Sequence, residues 1–415
     1  MTSSTRRGSG RRNTSALALG SVVSGLLAYA VFALVTHGLG AEAAAPVAVL
    51  WTHWAFAGAA FTFPLQHWIT RSVALGHEAD VRRAAARVTA VVTAAAVLLG
   101  LLAWLARDAL FHRSDAAFPV MITLVTLGSA WIGAVRGGLG GRERFGAVAA
   151  SLVAENGLRL ALVALLLLVG VENPVAHGMC LVAGPLVTVC WPSALRLSTS
   201  GSAGPGESTS AFAFLSGAAS SQLIGQTVLT GGPVVLALLG GTATQVTSMF
   251  AALALFRAPY MVALGAVPQL TVRVAQRRSG GGRDVRGLRV LVAAGVLAVL
   301  VALAAVLGGW LGPAVLEIVF GHTVDVAPAI AGAVAAGCTL AVANLPLTVI
   351  CLAANRPFAA AVAWVASIVV AAATLVAFSG EPALDRTTIA FVVAEVTALV
   401  GLAVVAGRAA RRVQL

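Results

Sequence analysis

Leu197-Ser-Thr-Ser-Gly-Ser-Ala-Gly-Pro-Gly-Glu-Ser-Thr-Ser210 stands almost at the midpoint of a chain of 415 residues. Its Ser, Thr, Gly and Pro offer no apolar face to bury, so it reads as a solvated linker. Nearly everything on either side is hydrophobic. Six apolar spans precede this segment and six follow, and the chain reads as two six-helix halves joined by residues 197–210.

Composition agrees. The chain is 59% hydrophobic and 10% charged, with mean hydropathy +0.94, whereas soluble domains carry about 25% charged residues. Runs of about 20 apolar residues are what a helix needs to cross a bilayer. The expected fold class is therefore all-α: a polytopic membrane protein of twelve transmembrane helices. A polar tail (1–14) leads into an N-terminal lobe (15–196), with spans at 15–36, 43–66, 88–106, 116–135, 146–170 and 173–195. After the linker comes a C-terminal lobe (211–407), with spans at 211–239, 245–270, 290–312, 327–352, 358–379 and 387–407. Residues 408–415 form a second tail. Ala28-Tyr29-Ala30 is like a signal-peptide cleavage site, but the apolar run continues to Val35, so the first span is read as uncleaved.

The net charge of +12 is a topology signal. All 27 basic residues are Arg, so a Walker-type phosphate loop or Schiff-base lysine has no residue to build on. Twenty-two of the arginines fall in the tails and the loops on their side, from Arg6 and Arg7 through Arg71, Arg82, Arg136, Arg142 and Arg144 to Arg408. The opposite loops hold only Arg107, Arg113 and Arg386; Arg159 and Arg257 lie inside spans. This places both termini and the linker on the cytoplasmic side of the cell membrane, whether plasma or inner. It argues for a lipid bilayer as partner and against nucleic acid. The longest polar stretches, 67–87 and 272–289, read as Arg-rich surface loops meeting anionic lipids. Cys180, Cys190, Cys338 and Cys351 all lie in apolar spans, with no CxxC pair, so they read as small buried hydrophobes.

The halves echo each other. Leu39-Gly40-Ala41-Glu42 ends the first span and Leu239-Gly240-Gly241-Thr242 the seventh. Phe63-Pro64-Leu65-Gln66 closes the second and Val267-Pro268-Gln269 the eighth. Gly141-Arg-Glu-Arg144-Phe145 and Ala354-Asn-Arg356-Pro-Phe358 occupy corresponding cytoplasmic turns. Both repeats start on the same side, so they are parallel, with a pseudo-two-fold axis along the membrane normal.

On three of these landmarks the chain resembles the polysaccharide and O-antigen flippases of the multidrug/oligosaccharidyl-lipid/polysaccharide exporter superfamily. They are Leu39-Gly40-x-Glu42, then Arg136-Gly137-x-Leu139-x-Gly141-x-x-Arg144-Phe145, and Asn355-Arg356-Pro357. The resemblance implies two MATE-like six-helix lobes around a central cavity, flipping lipid-linked oligosaccharides from the inner to the outer leaflet by alternating access. As partners it implies the lipid-linked glycan substrate, and the polymerase and glycosyltransferases of polysaccharide assembly.

Ionisable groups inside spans cost roughly 2.5–3.5 kcal/mol each on insertion scales, so each needs an account. Glu155 and Arg159 are four apart on one helix face, as an internal ion pair or a cavity-lining gate. Arg257 lies some ~18 Å from either end of its span, too deep to snorkel easily. It either faces a wet cavity suited to a pyrophosphate or pairs with another helix, for example through Glu395. Glu395 itself reads as a neutral core carboxyl or as part of ion coupling. Trp51-Thr52-His53-Trp54 offers aromatic faces and a titratable ring, for sugar stacking or for packing. Gln222 and Gln226 share a face and either line the cavity or bond between helices.

No cofactor, metal or enzyme motif is visible: HExxH, GxSxG and DxD are all missing. The rival readings are a cation-coupled multidrug or small-molecule exporter of the same superfamily, which calls for cavity acids in spans 1 and 7, and an integral-membrane enzyme of polysaccharide assembly.

Overall fold

The computed structural model describes residues 4–196, 224–261, 263, 286–353 and 356–412. The linker 197–210, Gln222, Pro268, Asn355 and most of 272–289 lie outside the described residues. Every regular element among those described is a helix, so the all-α expectation holds. The chain divides into two compact units, Met1–Leu223 and Ile224–Leu415.

In the first unit α1 spans Ser4–Ala57, α2 Phe63–Ala74, α3 Glu78–Leu105, α4 Arg107–Phe111, α5 Ala117–Gly141, α6 Phe145–Leu168 and α7 Pro174–Ala183. In the second, α8 is Gly232–Leu238, α9 Ala243–Phe256, α10 Arg286–Phe320, α11 Pro328–Ala353, α12 Pro357–Ala377 and α13 Ala383–Arg412. Eight helical runs among the described residues are long and apolar enough to cross a membrane. The first of them, Leu19–Ala74, covers most of the first expected span and all of the second. Two shorter apolar helices, Pro174–Cys190 and Ala243–Phe256, stand where spans six and eight are expected.

The break inside α1 is at Gly40, with φ 75° and ψ 166°, a region open essentially to glycine alone. The landmark Leu239-Gly240 matches it: Gly240 has φ 83° and closes α8. There Gly241 N–H donates to Leu236 O (2.9 Å) and Gly240 N–H to Ala237 O (3.1 Å), the paired bonds of a Schellman cap. Thr242 then opens α9 with a reciprocal capping box to Gln245. Both halves thus break at the same landmark.

Helix α5 is the hub of the first unit, packed by α1, α2, α3, α6 and α7. Its Gly133, Gly137 and Gly141, four apart, face α2. A Cβ there would lie 2.5 Å from Thr62 O, 2.8 Å from Ile69 Cβ and 2.5 Å from Val73 Cβ respectively. Without a hydrophobic drive between helices in lipid, such close approach and the hydrogen bonds it permits hold spans together. Here Thr62 Oγ1–H donates to Ser129 O (2.8 Å) and Thr70 Oγ1–H to Gly137 O (3.2 Å). In the second unit α10 approaches α11 the same way, with Gly308 against Ala335 and Gly332 against Ala305 O. The apolar faces of α3, α10 and α12 stay exposed, as lipid-facing surfaces do.

Two loop expectations are corrected. Residues 67–87 are mostly helix, because α2 runs to Ala74 and α3 starts at Glu78; their arginines sit on helix ends. Arg136 is no loop residue either: the close α2 contact keeps α5 helical past it to Gly141, and Arg136 is buried. Cys190, expected inside, is exposed.

The α2–α5 contact yields a stability test. Gly137→Ala should destabilise the protein by about 1–3 kcal/mol, through overpacking against Ile69. Gly146→Ala, with nothing within 4 Å of its new Cβ, should be neutral or gain about 0.5–1 kcal/mol. Thermal unfolding in detergent separates the two; equal behaviour would mean that α2 does not rest on the glycine face.

Candidate functional site

Glu155 and Arg159 form the expected pair. Arg159 Nη2–H donates to Glu155 Oε1 at 2.6 Å. Sequence spacing missed a third member, since Arg136 Nη2–H donates to Glu155 Oε2, also at 2.6 Å. The three are withdrawn inside the first unit, at 0% exposure for Arg159, 3% for Glu155 and 5% for Arg136. Two guanidinium groups and one carboxylate leave a net positive charge.

Every nitrogen of Arg159 has a partner. Nη1–H donates to Asn156 Oδ1 (2.9 Å) and Nε–H to Leu181 O (3.2 Å). Pro185, four residues on, has no N–H to give the Leu181 carbonyl, which accepts instead from the Gly184 N–H and keeps a lone pair for Arg159. At this point α7 tightens into a 3-10 helix, Gly184–Cys190. Gly184 completes the seat, since a Cβ there would lie 2.4 Å from Arg159 Nη2. Asn156 in turn donates to Ser24 Oγ (2.8 Å), which ties α6 to α1. Arg136 Nε–H donates to Ser151 Oγ (3.0 Å).

Trp54 joins this site, while its neighbour His53 turns to α5. The Arg159 Cζ atom lies 4.7 Å from the Trp54 ring centroid, and Trp51 meets Trp54 edge-on at 5.9 Å. His53 Nε2 is 2.9 Å from Thr126 Oγ1. The Thr126 proton already goes to Ile122 O (2.8 Å), so Nε2 is the donor in that contact. Both His53 and Trp54 are half-buried.

The second unit holds a different set. Glu395 is fully buried; its Oε2 accepts from Asn344 Nδ2 (2.7 Å), while Glu395 Oε1 and Asn344 Oδ1 have no hydrogen-bond partner among the described residues. Arg257 caps α9 with φ −80° and ψ −3°, half-buried, its guanidinium 5.7 Å over the Phe250 ring. It makes no ion pair among the described residues, with Glu395 or otherwise. Gln226 is half-buried; its carbonyl accepts from Thr230 Oγ1–H at 2.7 Å.

The cluster predicts an ordering of variants. Glu155→Gln strands two buried guanidinium groups and should cost about 3–5 kcal/mol. Replacing all three with Glu155→Gln, Arg136→Met and Arg159→Met should recover most of that loss. Thermal stability in detergent reads both, and equal losses would show that the three residues do not act as one ion cluster.

No protein-family model matches the chain, and no curated protein sequence does. Solved structures match over nearly its whole length. One is a multidrug resistance MATE family transporter of the MOP superfamily in an inward-facing conformation: 15% identical, covering 95% of this chain and 98% of that one, TM-score 0.66. An outward-facing structure of a multidrug resistance MATE family transporter of the MOP superfamily matches at 13% identity over 96% of each chain, TM-score 0.57. A MOP superfamily transporter from Pyrococcus furiosus matches at 11%, covering 97% and 95%, TM-score 0.55. The order and packing of helices described above are thus those of a known membrane architecture: the chain has the fold of the MATE transporters of the MOP superfamily.

Proposed function

We propose that the protein is a twelve-span transporter that flips lipid-linked oligosaccharide or polysaccharide precursors to the outer leaflet by alternating access. The observation that carries this reading is Arg257. A half-buried guanidinium at the end of the apolar helix α9, with no ion pair among the described residues, is a standing site for an anion. Arginine stays charged at any working pH and grips a pyrophosphate through two parallel hydrogen bonds. The same fold is found in a MOP superfamily transporter from Pyrococcus furiosus, for which reverse polarity of the binding pocket suggests a different function. Polarity is therefore a property in which chains of this fold differ.

Arg257→Lys keeps the charge and loses the fork, so it should retain part of the export activity, and Arg257→Ala very little. The assay is accumulation of the lipid-linked precursor in cells that depend on each variant, with membrane abundance measured alongside. Normal export by a well-expressed Arg257→Ala protein would sink the anion mechanism.

A second reading, cation-coupled export of drugs or other small molecules, is favoured by Glu395 and Asn344. Their two unpartnered buried oxygens are what a proton or small cation would satisfy. Glu395→Gln supplies a donor in the same shape. If Glu395 couples an ion, this variant should fold normally and lose the dependence of transport on the proton or sodium gradient. Unchanged gradient dependence would leave Glu395 as a neutral core group.

Orientation is tested separately. With both termini and the linker cytoplasmic, Ser202→Cys as the single cysteine of the chain should resist an impermeant maleimide in sealed cells and react after permeabilisation. Labelling from outside would overturn the orientation.

A further inference from the structure

The first unit holds an arrangement that anion binding at Arg257 does not use. Arg159 covers one face of Trp54 and is itself fully buried. The part of Trp54 that remains exposed is therefore not the side that Arg159 covers. An indole ring ordinarily attracts cations, because its faces carry the negative lobes of the quadrupole. Here one face is already taken by a guanidinium that cannot leave. Glu155, Asn156 and Leu181 O hold its nitrogens, and the Gly184 backbone closes behind it. Arg136 adds a second positive charge against the single carboxylate.

A cation settling on the rest of Trp54 would lie roughly 8 Å from Arg159, a ring thickness and one further contact away. At the effective dielectric of a protein interior, the unbalanced charge then weakens its binding on the order of tenfold. A sugar face meets no such penalty, since its C–H edges need only the aromatic surface, and an anionic group is drawn to the same charge.

We propose that Trp54 is a ligand platform selective by charge. It accepts the neutral or anionic face of a glycan head group and rejects lipophilic aromatic cations, and Arg159 is the positioning residue that sets the choice. The glycan half of this inference rests on the flippase reading; the rejection of cations does not.

The test uses the purified full chain and tetraphenylphosphonium as probe. Wild type should bind it weakly. Arg159→Met leaves Glu155 and Arg136 balanced one to one, and should bind it about tenfold more tightly. The gain should vanish in Arg159→Met with Trp54→Ala, which a merely structural role for Arg159 would not produce. Arg159→Lys should restore rejection. Should Arg159→Met fail to fold, Gly184→Ala displaces the guanidinium without removing it and should give a smaller gain, again dependent on Trp54. Wild-type binding as tight as that of the variants, or a gain that survives Trp54→Ala, would overturn the proposal. Rejection of the probe by a well-expressed wild-type chain that does not support export of the lipid-linked precursor would leave the filter standing while refuting the flippase reading.

Discussion

Pro185 has no N–H for the Leu181 carbonyl, and two donors stand in for it: the Gly184 N–H and the Arg159 guanidinium. Much of the first unit follows from that exchange. In hydrocarbon no water relieves an unpaired carbonyl or an unpaired charge, so each must be met from within the protein. Arg159 meets the carbonyl, Glu155 meets Arg159, Arg136 meets the second oxygen of Glu155, and Ser151 meets Arg136. Asn156 carries the chain of contacts on to Ser24, joining α1. Removing one link strands the others, which is why a buried ion cluster is costly to break even where an apolar replacement of the whole would be tolerated.

Such short charged contacts demand that the helix backbones come close. Gly184 yields room for the guanidinium, and Gly133, Gly137 and Gly141 let α2 lie flush on α5. The two devices act on the same helix: α5 is gripped by α2 through glycine contacts on one face and reaches Glu155 of α6 through Arg136 on another. The electrostatic cluster and the close packing are thus one constraint seen from two sides.

Sequence made the architecture legible because bilayer thickness fixes the length of an apolar span, and the i, i+4 spacing of Glu155 and Arg159 fixes a common face. It also singled out Trp54, whose ring lies against Arg159. Arg136 was not legible as a partner, because arginine counting treats any basic residue near a span end as a loop residue. The signal that could have found it was the four-residue glycine spacing, which requires α5 to stay helical through Gly141. The same bias made residues 67–87 look like a loop. Arg257 was readable as a charge inside a span, but whether another helix answers it depends on contacts between distant residues, which no local pattern encodes.

The two halves share a backbone device and differ in electrostatics. Gly40 and Gly240 break the chain at matching landmarks with positive φ, a coincidence expected of a duplicated six-helix unit, since no other residue tolerates that backbone so readily. In the first unit every ionised partner of Glu155 is satisfied internally. In the second, Glu395 keeps one oxygen unpaired and Arg257 has no ion pair among the described residues. The open groups of the second half are those on which the transport proposals rest, whereas the cluster of the first half enters them only through the ring it holds, Trp54.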